Sequence, residues 1–147
     1  MEVNREEENR EETMGKEKLS DHGYKKLKIY QSAHRLAIEI HKMTLSLPKF
    51  EMFEEGSQIR RSSKSVSSNI VEGYCLRRYK AEYVHFLFRA YASSVETVEH
   101  LELLYKTGSL KADTVFNDFV SNYSEINGMI YKFIETVNRN HKTDIFI

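Results

Sequence analysis

The sequence is poor in everything that punctuates or staples a chain. Its 147 residues contain one cysteine, one proline, six glycines and no tryptophan. The lone Cys75 excludes an intramolecular disulfide and a cysteine zinc site. So few prolines and glycines cannot supply the turns of a many-stranded sandwich or barrel. No apolar run approaches the ~18 residues of a membrane span, and no secretory leader pattern is seen, so a cytoplasmic protein with no membrane partner is expected. Without secretion, the glycosylation pattern at Asn122-Tyr123-Ser124 carries no meaning. Net charge is lacking too: 22 Lys and Arg face 22 Asp and Glu, so no global field draws the protein to nucleic acid or an anionic membrane.

What is present points to an all-α protein: 40% hydrophobic, 30% charged and 12% aromatic residues, with apolar positions at helical spacing. Residues 1–23 are charged and nearly without apolar side chains, which predicts a disordered tail. Met14 is an alternative start within it. Residues 24–140 are expected to form a four-helix bundle, and 141–147 a C-terminal tail. The stripe Ile29, Ala33, Leu36, Ile40, Met43, Leu47 predicts a first helix over 25–47, stopped by Pro48. In the loop that follows, Phe50, Met52 and Phe53 are expected to form a hydrophobic lid on the bundle end. Ser57 or an earlier residue caps a second helix with the stripe Ile59, Ser63, Val66, Ile70, Gly73.

The third helix, 79–106, carries two adjacent rows. One is Tyr83, Leu87, Ala90, Ser94, Thr97, Leu101 and Leu104; the other holds Val84, Phe88, Tyr91, Val95, Val98 and Tyr105. Together they form an arc wider than one core needs, so Val84, Phe88, Tyr91, Val95 and Val98 are the candidate oligomer interface. Gly108 is a plausible C-cap. A fourth helix over 111–139 shows Phe116, Phe119, Tyr123, Ile126, Ile130, Phe133 and Val137. Short connections favour an up-down-up-down antiparallel arrangement.

The second helix has an unusual composition. Arg60 to Tyr74 reads RRSSKSVSSNIVEGY, rich in serine, a mediocre helix former that needs tertiary support. Small side chains permit close helix approach, and packing is the favoured reading. The rival is a phosphate grip, because residues 57–80 hold six cations (Arg60, Arg61, Lys64, Arg77, Arg78, Lys80) against the single acid Glu72. Arg60 and Lys64 repel at i,i+4 unless an anion lies near, and Glu96, Glu99 and Glu102 of the third helix are candidate neutralisers.

Arg61-Ser62, Ser65-Val66 and Asn69-Ile70-Val71-Glu72-Gly73 resemble the signature of bacterial four-helix-bundle proteins. These are related to proteins encoded in intervening sequences of large-subunit ribosomal RNA genes. More distantly, the pattern resembles the accessory variability protein of diversity-generating retroelements. Leu27-x-Ile29-Tyr30-Gln31-x-Ala33-x-x-Leu36-Ala37 is similar to the family's opening motif. Phe86-Leu87, Ala90, Ser93-x-x-Glu96-Thr97 and His100-Leu101-Glu102-x-Leu104-Tyr105 are similar to its third-helix motif. The likeness spans roughly Leu27 to Val137. It implies a bundle that assembles into a ring, typically a pentamer, with no known enzymatic activity. For the retroelement relatives it also implies binding to nucleic acid and a reverse transcriptase. Those relatives are strongly basic; this chain is neutral, and it has Ala92-Ser93 where the family has Gly-Ser.

Residues suited to catalysis are scattered. Glu82-x-x-His85 matches half of a di-iron pattern and has no second copy, so an outer charged face explains it and no metal is expected. Glu96 and His100 read as a surface or interface pair, His34 and His41 as partly buried and satisfied. No nucleophile elbow, phosphate loop or dinucleotide fingerprint occurs, and no cofactor is expected. The expected function is a non-enzymatic homo-oligomeric helical-bundle adaptor with weak binding of RNA or DNA, with a reverse transcriptase or other protein as further partner. The alternative is a purely protein-binding scaffold.

Overall fold

A computed structural model describes residues 22–140 of the chain. The disordered-tail expectation for 1–23 therefore falls outside the described residues except at its end, and that for 141–147 falls outside them entirely. Four long helices account for most of what is described: α1 Lys28–Thr44, α2 Glu55–Cys75, α3 Lys80–Lys106 and α4 Asp113–Asn140. Two 3-10 turns, Gly23–Lys26 and Lys49–Met52, precede α1 and α2. No strand occurs among the described residues.

The apolar stripes end up where their periodicity puts them. Ile29, Ala33, Leu36, Ile40 and Met43 of α1 are buried, as is the first row of α3 from Tyr83 to Leu104. Packing is sequential: α1 lies on α2, α2 on α3 and α3 on α4, with a lighter contact between α1 and α4. One core joins all four, with Ile40, Ile59, Leu101 and Ile130 fully buried within it. No helix among the described residues is long and apolar enough to cross a membrane.

Three local expectations need correction. Helix α1 ends at Thr44 rather than 47, because the approach to Pro48 tightens the chain. The amides of Leu45, Ser46 and Leu47 reach back only three residues, at 3.1–3.3 Å, and Leu47 stays buried outside the helix. The lid does not form either: Phe50, Met52 and Phe53 are 62%, 47% and 87% exposed. The 3-10 turn there points Glu51 inward instead. Its carboxylate accepts from the Ser109 hydroxyl at 2.9 Å and from the Gly56 amide at 3.3 Å, tying the start of α2 to the α3–α4 connection. Such bonds explain how a carboxylate stays buried and why α2 begins at Glu55 without a side chain from Ser57. In α4 the deepest late residue is Ile134, while Phe133 is half-buried, a one-residue drift in the stripe.

Helix α3 stops as its glycine predicts. Gly108 has φ of +87° and donates its amide to the Tyr105 carbonyl at 3.1 Å, closing the last turn in a conformation few other residues adopt.

Candidate functional site

The serine-rich helix is a close-packing surface along its buried face. Ser62 and Ser63 are buried, and Ile59, Val66, Ile70 and Gly73 complete the stripe. Opposite lies an equally thin strip of α3. The Thr97 hydroxyl sits 2.9 Å from Ser62 Oγ and 2.8 Å from the Ser93 carbonyl, sharing one proton between them. Ser65 and Ser93 hydroxyls meet at 3.0 Å. Asn69 donates its side-chain amide to the Ser65 carbonyl at 2.8 Å and to Ser65 Oγ at 2.9 Å. At the end of the seam a Cβ on Gly73 would stand 3.1 Å from Phe86 Cβ and 3.4 Å from the Tyr83 ring, so the helices touch nearly backbone to side chain. Several of the residues that carry the family resemblance (Ser62, Ser65, Asn69, Gly73, Ser93, Thr97) thus build one interface. Outside it runs a polar groove of about 450 Å³ that Glu72, Arg89 and Glu96 help to line.

The six candidate nucleic-acid residues fall into two groups: Arg60, Arg61 and Lys64 in the first half of α2, and Arg77, Arg78 and Lys80 at the connection from α2 to α3. Arg61 and Arg77 are separated by sixteen positions, roughly 24 Å along a helix. In the first group Arg60 is a structural clamp. It donates to Thr44 Oγ1 at 3.1 Å and to the Met52 carbonyl at 2.7 Å, joining α1, the 3-10 turn and α2. Lys64 approaches His41 Nδ1 at 3.1 Å, and Arg61 is exposed. In the second group Arg77 donates to the Tyr74 carbonyl at 3.0 Å and lies 4.0 Å over the Tyr74 ring. Arg78 and Lys80 are exposed, Arg78 lying 5.9 Å from the Tyr79 ring centre.

The glutamates of α3 do not neutralise the first group within the chain. Glu96 meets His100 Nε2 at 3.3 Å, and Glu102 meets Lys106 at 3.8 Å. The expected Glu96–His100 pair has a third member, Glu55, whose carboxylate lies 2.6 Å from His100 Nδ1 across the α2–α3 seam. No sequence spacing signals a partner forty-five positions away; only the packing of α2 on α3 does.

The candidate oligomer residues divide by depth. Val84, Tyr91 and Val98 are half-buried and rest against the core, whereas Phe88 and Val95 are 44% and 45% exposed. Tyr131 of α4, 48% exposed, lies beside them with its ring centre 6.1 Å from that of Tyr91. A cavity of about 310 Å³ opens between α3 and α4 there, lined by Val95, Val98, Val120 and Asn127 among others. The Asn127 side-chain carbonyl is buried without a hydrogen-bond partner.

Glu82 and His85 are both exposed, and no three His, Cys, Asp or Glu side chains come together for a metal among the described residues. His34 is exposed and stacks on Tyr30, with ring centres 5.4 Å apart, rather than being partly buried. Burial pushes the Tyr83 hydroxyl up to about 12, with Tyr74 adding to the shift and Arg77 opposing it. Tyr105 is raised because its hydroxyl donates to the Asp113 carboxylate at 2.6 Å, a bond that favours the protonated form.

Among solved structures, the chain resembles a Bacteroides thetaiotaomicron protein of unknown function from the S23 ribosomal protein family. The two share 25% identity and a TM-score of 0.67, over 74% of this chain and 96% of that one. No curated protein matches the sequence. The profile of the 23S rRNA-intervening sequence proteins matches residues 25–132, which takes in α1 to α3 and most of α4. The chain belongs to the 23S rRNA-intervening sequence protein family.

Proposed function

We propose that this chain is a non-enzymatic adaptor: an up-down-up-down four-helix bundle that assembles with copies of itself into a ring, with five subunits expected. The observation that carries this reading is the uncovered apolar flank of α3 and α4, where Phe88, Val95 and Tyr131 stay exposed above half-buried Val84, Tyr91 and Val98. A contiguous apolar strip of this kind marks an interaction surface. A neighbouring subunit would also bring a donor to the Asn127 carbonyl. Light scattering coupled to size exclusion should return a mass several times 17.3 kDa. A monomer at micromolar concentration would overturn the assembly.

Nucleic acid enters as a weak second partner. Arg61, Arg78 and Lys80 are exposed, with no carboxylate within ion-pair distance among the described residues. Repetition of such small groups around a ring multiplies a weak phosphate contact through avidity. The kinship with accessory variability proteins, and a reverse transcriptase as protein partner, belong to this part of the proposal, as does a cytoplasmic location. The scaffold reading without nucleic acid draws on a different observation. Arg60, Lys64 and Arg77 all have contacts inside the chain, so the six-cation segment offers fewer free charges than its sequence suggests.

A further inference from the structure

Two opposite faces of the bundle are apolar and carry charge of opposite sign. Packing runs from α1 to α2, α3 and α4 and closes from α4 back to α1, so the α1–α2 face lies across the core from the α3–α4 face. A groove of about 330 Å³ runs between α1 and α2, lined by His34, Ala37, Ile38, His41, Lys42 and Lys64 among others, with no carboxylate in its wall. Ile38 is 44% exposed there. Lys42 has no ion pair with another described residue, and the one polar contact of the Lys64 side chain is His41. On the far face a ridge of α3 presents exposed Phe88, Val95 and Glu99, followed by half-buried Glu102. Glu99 has no ion pair with another described residue, and Glu102 meets only Lys106, at 3.8 Å. We infer that the α3 ridge of one copy lies in the α1–α2 groove of the next, a head-to-tail contact in which Glu99 and Glu102 meet the neighbour's Lys42 and Lys64. The inference rests on the proposed assembly of the chain with copies of itself and names the two faces that make it.

Height along the bundle selects this pairing. Lys64 meets His41 at 3.1 Å, while Ser62 and Ser65 meet Thr97 and Ser93 at 2.9 and 3.0 Å. Lys64 lies between those serines, so it stands level with His41 on one side and with Val95 on the other. Helices α1 and α3 run the same way, and counting along them puts His34 level with Phe88 and Ile38 between Phe88 and Val95. Lys42 then falls roughly 5 Å along the axis from Glu99, which a lysine side chain spans. Rotation about an axis along the helices leaves heights unchanged, so in a ring apolar meets apolar and cation meets carboxylate without any shift. A ridge seated in a groove is also how helices pack within one chain. Other cations do not fit. Lys28 stands level with residue 82, about 25 Å from Glu99, and Lys25 and Lys26 precede it. Lys80 begins α3, about 28 Å from Glu99. Lys49 and Lys111 line a cavity at the end of the bundle, between its two connections, and Arg61 does not line the groove. Opposite faces that differ in this way join head to tail and close by rotation, whereas a two-fold contact would set each face against its own charge.

Charge reversal tests the two faces separately and then together, with the mass of the full chain read by light scattering coupled to size exclusion. Lys42→Glu/Lys64→Glu should bring the assembly down to the mass of one chain, 17.3 kDa, and Glu99→Lys/Glu102→Lys should do the same. A chain carrying all four substitutions should regain the wild-type mass, because an acidic groove then faces a basic ridge. That recovery also shows that the two-site variants are folded. Lys25→Glu/Lys28→Glu, at the opposite end of the chain's first helix, should leave the mass unchanged. Where the wild type assembles, three results overturn the inference while the assembly itself stands. These are wild-type mass in either two-site reversal, a four-site chain that stays at one chain's mass, and dissociation by Lys25→Glu/Lys28→Glu as complete as that by Lys42→Glu/Lys64→Glu. A wild-type monomer overturns the assembly and the inference with it.

Discussion

The two flanks of α3 solve the same packing problem in opposite ways. Towards α2 the contact is thin and polar: Ser93 and Thr97 bond across to Ser65 and Ser62, Asn69 ties into the same seam, and Gly73 meets Phe86. At the N-terminal end of α2 the seam is finished by Glu55 and Glu96 on either side of His100. Towards α4 the contact is thick and apolar, and part of it has no cover. A seam of small hydroxyl residues can be completed by one partner helix, since each hydroxyl needs only a bond or two. An arc of Phe, Tyr and Val wider than one groove cannot, and the surplus stays exposed.

The sharpest way to break this comparison is to overfill the thin seam. Gly73→Leu or Ser63→Leu should destabilise the protein by about 1–3 kcal/mol, because the neighbours would have to leave their rotamers or the helices would have to part. Lys64→Ala changes an exposed side chain whose one polar contact is His41 at 3.1 Å, and should cost less than about 0.5 kcal/mol. Thermal melts of the three variants rank them. Equal melting temperatures would mean that the small-residue stripe does not hold α2 against α3.

The thin seam was the more legible of the two flanks. Ile59, Ser63, Val66, Ile70 and Gly73 at three-four spacing name a buried face whatever the residues are, and the face is buried. The row from Tyr83 to Leu104 was legible for the same reason. The partners of the basic segment were not. Its six cations divide between the first half of α2 and the α2–α3 connection, as the helix bounds imply, but Arg60 is spent on Thr44 and Met52, partners contributed by other elements. The Phe50–Phe53 loop misled because apolar residues near a helix end suggest burial, whereas the short 3-10 turn there turns one of its residues inward, and that residue is Glu51. Periodicity reports faces. It does not report which polar group a loop folds under, nor which distant carboxylate a histidine will meet.

Along the buried row of α3, two hydroxyls make a finer contrast. Thr97 is bonded to both Ser62 and Ser93, so Thr97→Val should cost about 1 kcal/mol and leave Ser62 with only the Ile59 carbonyl at 3.3 Å. Ser94, one turn earlier, is equally buried but its hydroxyl has no hydrogen-bond partner. Removing a buried polar group that is already unsatisfied relieves its desolvation cost, so Ser94→Ala should be neutral or stabilising. Denaturant midpoints at constant m-value give the order. The reverse order would show that the seam is held by shape alone, with its hydrogen bonds making no difference.

The smallest effect is expected at Gly128, a glycine far from either end of its helix. Gly128 lies in α4, exposed, with nothing within 4 Å of where a Cβ would stand. A helix-interior glycine costs roughly 0.5–1 kcal/mol relative to alanine, mainly through the freedom it has in the unfolded chain. Gly73→Leu and Gly128→Ala therefore act on the same residue type in the same kind of element with opposite sign. The first fills a contact already closed, while the second adds a methyl where nothing stands. Gly128→Ala should raise the melting temperature by a few degrees and leave the mass measured by light scattering unchanged. A raised melting temperature with a reduced mass would be informative in another way. It would place a neighbouring subunit within a methyl's width of Gly128, and so extend the open flank from the Phe88–Tyr131 strip around the outer side of α4.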